Sequence, residues 1–142
     1  MYVWSDGQNH RITVVGGLAF CQAFEVPNVD RSRRALLLGE MAGSARKMIE
    51  RGIRPLGLIL DLRRVTPIDD EPGRAALANL MRCFRGAGLP VGVLLRDAEK
   101  DPSGYLPKEE ESGARLFSSL PAAESWVRSG NGAQQRVNSP AS

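Results

Sequence analysis

Apolar positions along the chain follow two patterns. Short runs with the alternation of a strand are interspersed with longer stretches at helical spacing. Tyr2-Val3-Trp4 and Arg11-Ile12-Thr13-Val14-Val15 flank the turn-rich Ser5-Asp6-Gly7-Gln8-Asn9. Two apolar runs around Asp-Gly predict a β-hairpin. Gly16-Gly17 then breaks or bends the second strand. Leu18 to Phe24 is mixed in pattern and ends before Pro27-Asn28, so it reads as a strand extension or a loop.

From Val29 to Arg51, Leu37, Met41, Ala45 and Met48 recur at helical spacing. Asp30 or Ser32 is placed to cap this helix and Gly52 to stop it. Gly39 and Gly43 lower its helix propensity by about 1 kcal/mol each relative to alanine. With Ala35 and Ala42 beside them, they predict close packing of the helix on a sheet. Leu56-Gly57-Leu58-Ile59-Leu60 is a continuous apolar run ending at Asp61, as expected of a central strand buried on both faces. Val65-Thr66-Pro67-Ile68 leads into Asp69-Asp70-Glu71-Pro72. Carboxylates and a proline suit the first turn of a helix, here predicted from Pro72 to Arg85 and ended by Gly86 and Gly88.

Leu89 to Leu95 is a second buried strand. Asp97 to Gly113, with Pro102, Gly104, Pro107 and Glu109-Glu110-Glu111, reads as a solvated loop. Arg115-Leu116-Phe117 is a short strand, and Leu120, Ala123, Trp126 and Val127 form the apolar face of a last helix. Ser118 or Ser119 suits its cap, and Pro121 its first turn. From Ser129 on, Gly, Asn, Gln, Ser and Pro surround Val137, and residues 129–142 are expected to be a disordered tail. Residues 1–128 then make one domain. Its predicted class is α/β: a single-layer mixed β-sheet with helices packed against it, the later βαβ units parallel and right-handed.

Composition narrows the function. The chain has 142 residues, 42% of them hydrophobic, and 19 Lys+Arg against 16 Asp+Glu give a net charge of +3. So small a charge argues against a dedicated nucleic-acid binder. No apolar run approaches the roughly 20 residues of a membrane-spanning helix. The N-terminus lacks a basic region followed by an apolar one, so a cytoplasmic location with Cys21 and Cys83 as free thiols is expected. Cys83 falls in the pattern Leu77, Leu80, Met81, Phe84 and is predicted on a buried helix face. With one histidine and no paired cysteines, neither a zinc site nor another cofactor is expected. His10, between Asn9 and Arg11, reads as a surface residue of a polar turn. Ser/His/Asp chemistry would require it as base, and the local sequence does not suggest that.

Leu58-Ile59-Leu60-Asp61-Leu62, then Val65-Thr66-Pro67-Ile68-Asp69 and the helix after it, carry a resemblance. This segment resembles the STAS domain of bacterial anti-sigma-factor antagonists and of sulfate-transporter tails. Gly88-Leu89-Pro90-Val91-Gly92-Val93-Leu94 resembles the family's next strand, and Arg115 to Val127 the closing strand and helix of its SpoIIAA-like branch. The resemblance implies a regulatory module that binds an anti-sigma factor, a related signalling kinase or a second copy of itself. Asp70 stands where the family has its phosphorylated serine, and Glu71-Pro72 adds one residue to the turn. An aspartate accepts no phosphate from a Ser/Thr kinase and carries about one negative charge where phosphoserine carries nearly two. The kinase–phosphatase switch is therefore expected to be absent.

Asp69, Asp70 and Glu71 set about three negative charges at a helix start that would otherwise attract an anion, so phosphate binding is not expected there. One of the aspartates serving as a cap accounts for about 1 kcal/mol. The functional expectation is a non-catalytic docking surface made of Asp69, Asp70, Glu71 and Arg74. Asp61 with Asp69 and Asp70 would form a phosphate-receiver pocket only with paired acids after the first strand, where Gly16-Gly17 stands. Arg31, Arg33, Arg34, Arg63 and Arg64 read as solvated faces. The alternative expectation is a binding module for a small apolar ligand or a lipid headgroup, held between sheet and helices.

Overall fold

The computed structural model describes residues 1–66, 68, 70–96 and 114–129. Pro67, Asp69, the expected loop Asp97–Gly113 and the expected tail beyond Ser129 lie outside the described residues. Along the chain run β1 (Tyr2–Asp6), β2 (His10–Val15), β3 (Leu18–Ala23), α1 (Arg31–Glu50), β4 (Leu58–Asp61), α2 (Glu71–Gly86), β5 (Val91–Leu94), β6 (Arg115–Phe117) and α3 (Leu120–Ser129). The six strands form one mixed sheet whose spatial order is the chain order. β1–β2 and β2–β3 are antiparallel, and β3 to β6 are parallel neighbours. The α/β class and the hairpin of β1 and β2 are as the sequence predicts.

The segment after Gly16-Gly17 is not a strand extension or a loop. Gly16 and Gly17 have φ of 55° and 83°, both left-handed, as the two central residues of a tight hairpin turn require. Leu18–Ala23 is therefore a full strand, and it joins the antiparallel half of the sheet to the parallel half. Its interior position explains the mixed pattern. Covered on both faces, β3 loses the alternation that marks a strand with one wet side.

Both long helices start and stop by local chemistry. Asp30 caps α1, its carboxylate accepting the Arg33 N–H at 2.8 Å. At the far end Gly52 adopts φ 82°, the Gly52 N–H donates to Ile49 O, and the Ile53 N–H donates to Met48 O. Gly88 ends α2 in the same way, with Gly88 N–H on Arg85 O and Leu89 N–H on Phe84 O. This paired closure satisfies carbonyls that a helix end leaves open. Gly86 is the last residue of α2 rather than its stop.

The sheet has a large covered face and a small one. α1 and α2 bury Met41, Met48, Leu77 and Phe84 against Ile12, Cys21, Leu58, Leu60 and Val93. On the other face α3 sets Ala123 and Val127 on Leu18, Ile59 and Leu94. Each large apolar side chain so buried contributes about 1.5–3 kcal/mol. Cys83 is half-buried, beside rather than on the fully buried stripe of α2. The glycines of α1 do not bring it onto the sheet either. Gly39 and Gly43 have open space where a Cβ would stand, and they face a groove shared with α2. Among the described residues, no helix is long and apolar enough to cross a membrane.

Candidate functional site

Four parallel strands end on one side of the sheet, where α1 and α2 begin. In an open α/β sheet, the loops beyond the carboxyl ends of the strands are where ligands and partners are met. Here those loops are stiffened by polar contacts. Asp61, last residue of β4, is 8% exposed. It accepts the backbone N–H of Arg63 at 3.0 Å and a two-pronged grip from the Arg63 guanidinium, Nε at 3.0 Å and Nη2 at 2.9 Å. Burial opposes ionisation of Asp61, but the hydrogen bonds from Arg63 outweigh it and hold the carboxyl below its ordinary range. The Arg63 carbonyl in turn accepts from Arg96 Nε at 3.2 Å, joining the loops after β4 and β5.

A second strap ties the loop after β3 to the same turn. Glu25 accepts the Thr66 backbone N–H and, at 2.6 Å, the Thr66 hydroxyl. Arg34, in the first turn of α1, donates to the Thr66 carbonyl at 2.6 Å and lies 3.5 Å from Glu25. Partial burial resists the Glu25 charge, yet Thr66 and Arg34 together keep its carboxyl below the ordinary value. Arg34 is thus a half-buried clamp, not part of a solvated face. Nothing in the local sequence marks Glu25, because its partner lies 41 positions on.

Beyond this turn Asp70 caps α2, its Oδ2 accepting the Gly73 N–H at 2.8 Å. Its other oxygen, Oδ1, is buried and takes no hydrogen bond among the described residues. A side chain on Gly73 would meet Ile68 Cγ2 at 2.8 Å and Asp70 Oδ2 at 2.9 Å, so only glycine lets the cap close. Arg74 donates through Nε to the Ile68 carbonyl at 2.8 Å, fixing the turn from the helix side. Glu71 is exposed. Of the four expected docking residues, then, Asp70 and Arg74 are half-buried parts of the turn, Glu71 projects from it, and Asp69 lies outside the described residues. Asp61 spends both its carboxylate oxygens on Arg63, and among the described residues it is not paired with a second carboxylate.

Next to the cap is a groove of about 260 Å³ between α1 and α2. Gly39, Ala42 and Gly43 form one wall, Pro72, Ala75 and Ala76 the other, with Arg46 and Asn79 on its rim. A second space, under Phe24, Val29, Leu37 and Val65, measures only about 10 Å³. That is no more than one water occupies and far below a lipid or drug-sized ligand.

His10 is not a surface residue. It is 5% exposed, as is Asn9. The imidazole sits on the α1 face of the sheet, at the turn end of the first hairpin, between Asn9 Oδ1 at 2.8 Å and Ser5 Oγ at 3.0 Å. Burial pushes it below its ordinary pKa, while the charges of Asp6 and Glu40 pull the other way. Cys21 is fully buried in β3, and burial with the nearby Asp61 charge pushes its thiol up to about 12, which makes it inert. No family model matches the chain, and no curated protein matches it in sequence.

Proposed function

We propose that this chain is a regulatory module of the STAS, SpoIIAA-like kind, whose surface at the α2 start docks a signalling protein such as an anti-sigma factor without itself carrying out chemistry. The observation that supports this is the continuity of the α2 start with the α1–α2 groove. Pro72 belongs to both, so a partner seated in the groove meets Glu71 and the Asp70 turn at one end. Small residues on both walls let another backbone come close, which suits a helix laid into a groove. Glu71 at one end of the groove favours a helix with a basic residue at that end, while Arg46 on the rim is already paired with Glu50 at 3.3 Å. The turn is held from β3, α1 and β5 by Glu25, Arg34 and Arg96, so little order has to be gained on binding. Asp70 in the family's serine position makes such docking independent of phosphorylation.

A photocrosslinking phenylalanine analogue at position 75 tests this in cells of the source organism. The expected result is one predominant protein adduct, lost when Arg replaces Gly43 on the facing wall. The same analogue at exposed position 125, on α3, is expected to yield no such adduct. Equal yields of the same adducts from 75 and 125 would overturn the reading.

A further inference from the structure

Ser5, His10 and Asn9 form a hydrogen-bonded chain inside one hairpin, apart from the docking turn. The Asn9 carbonyl oxygen only accepts, so His10 donates to it from Nδ1 at 2.8 Å. In the neutral ring Nε2 then carries the lone pair, 3.0 Å from Ser5 Oγ. The hydroxyl therefore donates to a base whose tautomer is fixed from behind, the arrangement that activates a nucleophilic serine.

The rest of the hairpin keeps this chain in place. Asn9 is anchored through its backbone carbonyl, which accepts the Phe24 N–H at 2.7 Å. Gly7 lies over the imidazole, and a Cβ there would stand 2.5 Å from His10 Cε1, so a side chain at position 7 would displace the ring. The register of β1 on β2 shifts between Val3 and Ser5, the kind of bulge that re-aims a side chain. Trp4 donates its indole N–H to Ser44 O at 2.8 Å and pins this stretch to α1. Ser5 itself is half-buried, on the edge strand of the sheet. An edge strand turns every second N–H outward, towards no neighbouring strand, and such groups can donate to an oxyanion.

We propose that Ser5 is an activated nucleophile that accepts acyl groups from small activated esters, with His10 as general base and Asn9 as its positioning residue. Oγ bonds to the acyl carbon as its proton passes to His10 Nε2. The alcohol or phenol leaves with the bonding electron pair and takes that proton. Water then attacks the acyl-serine by the same route in reverse, releasing the acid and restoring the Ser5 hydroxyl.

The test is p-nitrophenyl acetate with the full chain, read as phenolate release and by peptide mapping of the acetylated site. Acetylation of Ser5 is expected at least about tenfold faster than at exposed Ser32, and it disappears in Ser5→Ala. His10→Gln is expected to slow Ser5 acetylation by about a hundredfold or more, the usual range for a lost general base. Asn9→Asp, which keeps the acceptor, is expected to retain it. Nitrogen-15 NMR of the unmodified chain needs no variant to fold, because His10 is the only histidine and its tautomer is read without ambiguity. Protonation at Nε2 rather than Nδ1, or Ser5 acetylated no faster than Ser32, would overturn the proposal.

Discussion

Arg63 and Asp61, two residues apart at the end of β4, close a ring of contacts in which one carboxylate receives both prongs of a guanidinium and a backbone N–H. The pair stands where the chain leaves the sheet, and it fixes the direction of the turn that leads to α2. Asp61 is nearly buried while Arg63 is more than a third exposed, so solvent screens part of the attraction. Asp61→Asn keeps the shape and weakens the grip, and a loss of about 1–2 kcal/mol in urea unfolding at pH 7 is expected.

The same pair predicts the response to acid. The Asp61 carboxyl is held lower in the folded chain than in the unfolded one. As pH falls, the unfolded chain therefore takes up the proton first. The stability that Asp61 supplies is complete above its unfolded value near 3.9 and is lost as pH falls through the lower folded value. Urea unfolding between pH 5 and pH 2 should show a drop that is smaller in Asp61→Asn.

His10 acts in a higher window. Burial lowers its pKa despite Asp6 and Glu40, so protons favour the unfolded chain. The stability supplied by neutral His10 is full above its unfolded value of about 6.5 and is lost as pH falls through the lower folded value. Stability should therefore decline between pH 7 and pH 5, and the decline should vanish in His10→Gln. An unchanged slope in that variant would assign the decline to other groups.

How much was legible in the sequence follows from where each signal lies. The stripe Leu37, Met41, Ala45, Met48 and the cap at Asp30 are local, and the structure places them as read. So are the run ending at Asp61 and the proline-bearing start of α2. β3 was obscured because an interior strand gives up its alternation. His10 looks like a surface residue in sequence because its burial depends on Ser5 and Gly7 closing over it in a hairpin that is polar residue by residue. Glu25 and Arg34 were invisible as a clamp because Thr66, the residue they share, is brought to them only by the parallel pairing of β3 with β4.

Glycine replacements separate a tight fold from an open groove. In a helix, Gly→Ala ordinarily stabilises by up to about 1 kcal/mol. At Gly73 the added Cβ would press on Ile68 and on the capping carboxylate, so the contact outweighs propensity. At Gly57 it would collide with Val127 Cγ1 and stand 2.7 Å from the Pro90 carbonyl. Losses of about 1–3 kcal/mol are expected at both sites by thermal or urea unfolding.

Gly39 and Gly43 make the opposite case, since a Cβ at either meets nothing within 4 Å. Gly39→Ala and Gly43→Ala are each expected to raise stability by about 0.5–1 kcal/mol. A fold selected only for stability has no reason to keep both glycines on α1. A groove that must admit another backbone does, because two added methyl groups narrow it. The double variant should therefore unfold at higher urea while losing the adduct formed through position 75. If the adduct forms as well on the stabilised double variant as on the parent chain, the groove is not the docking surface.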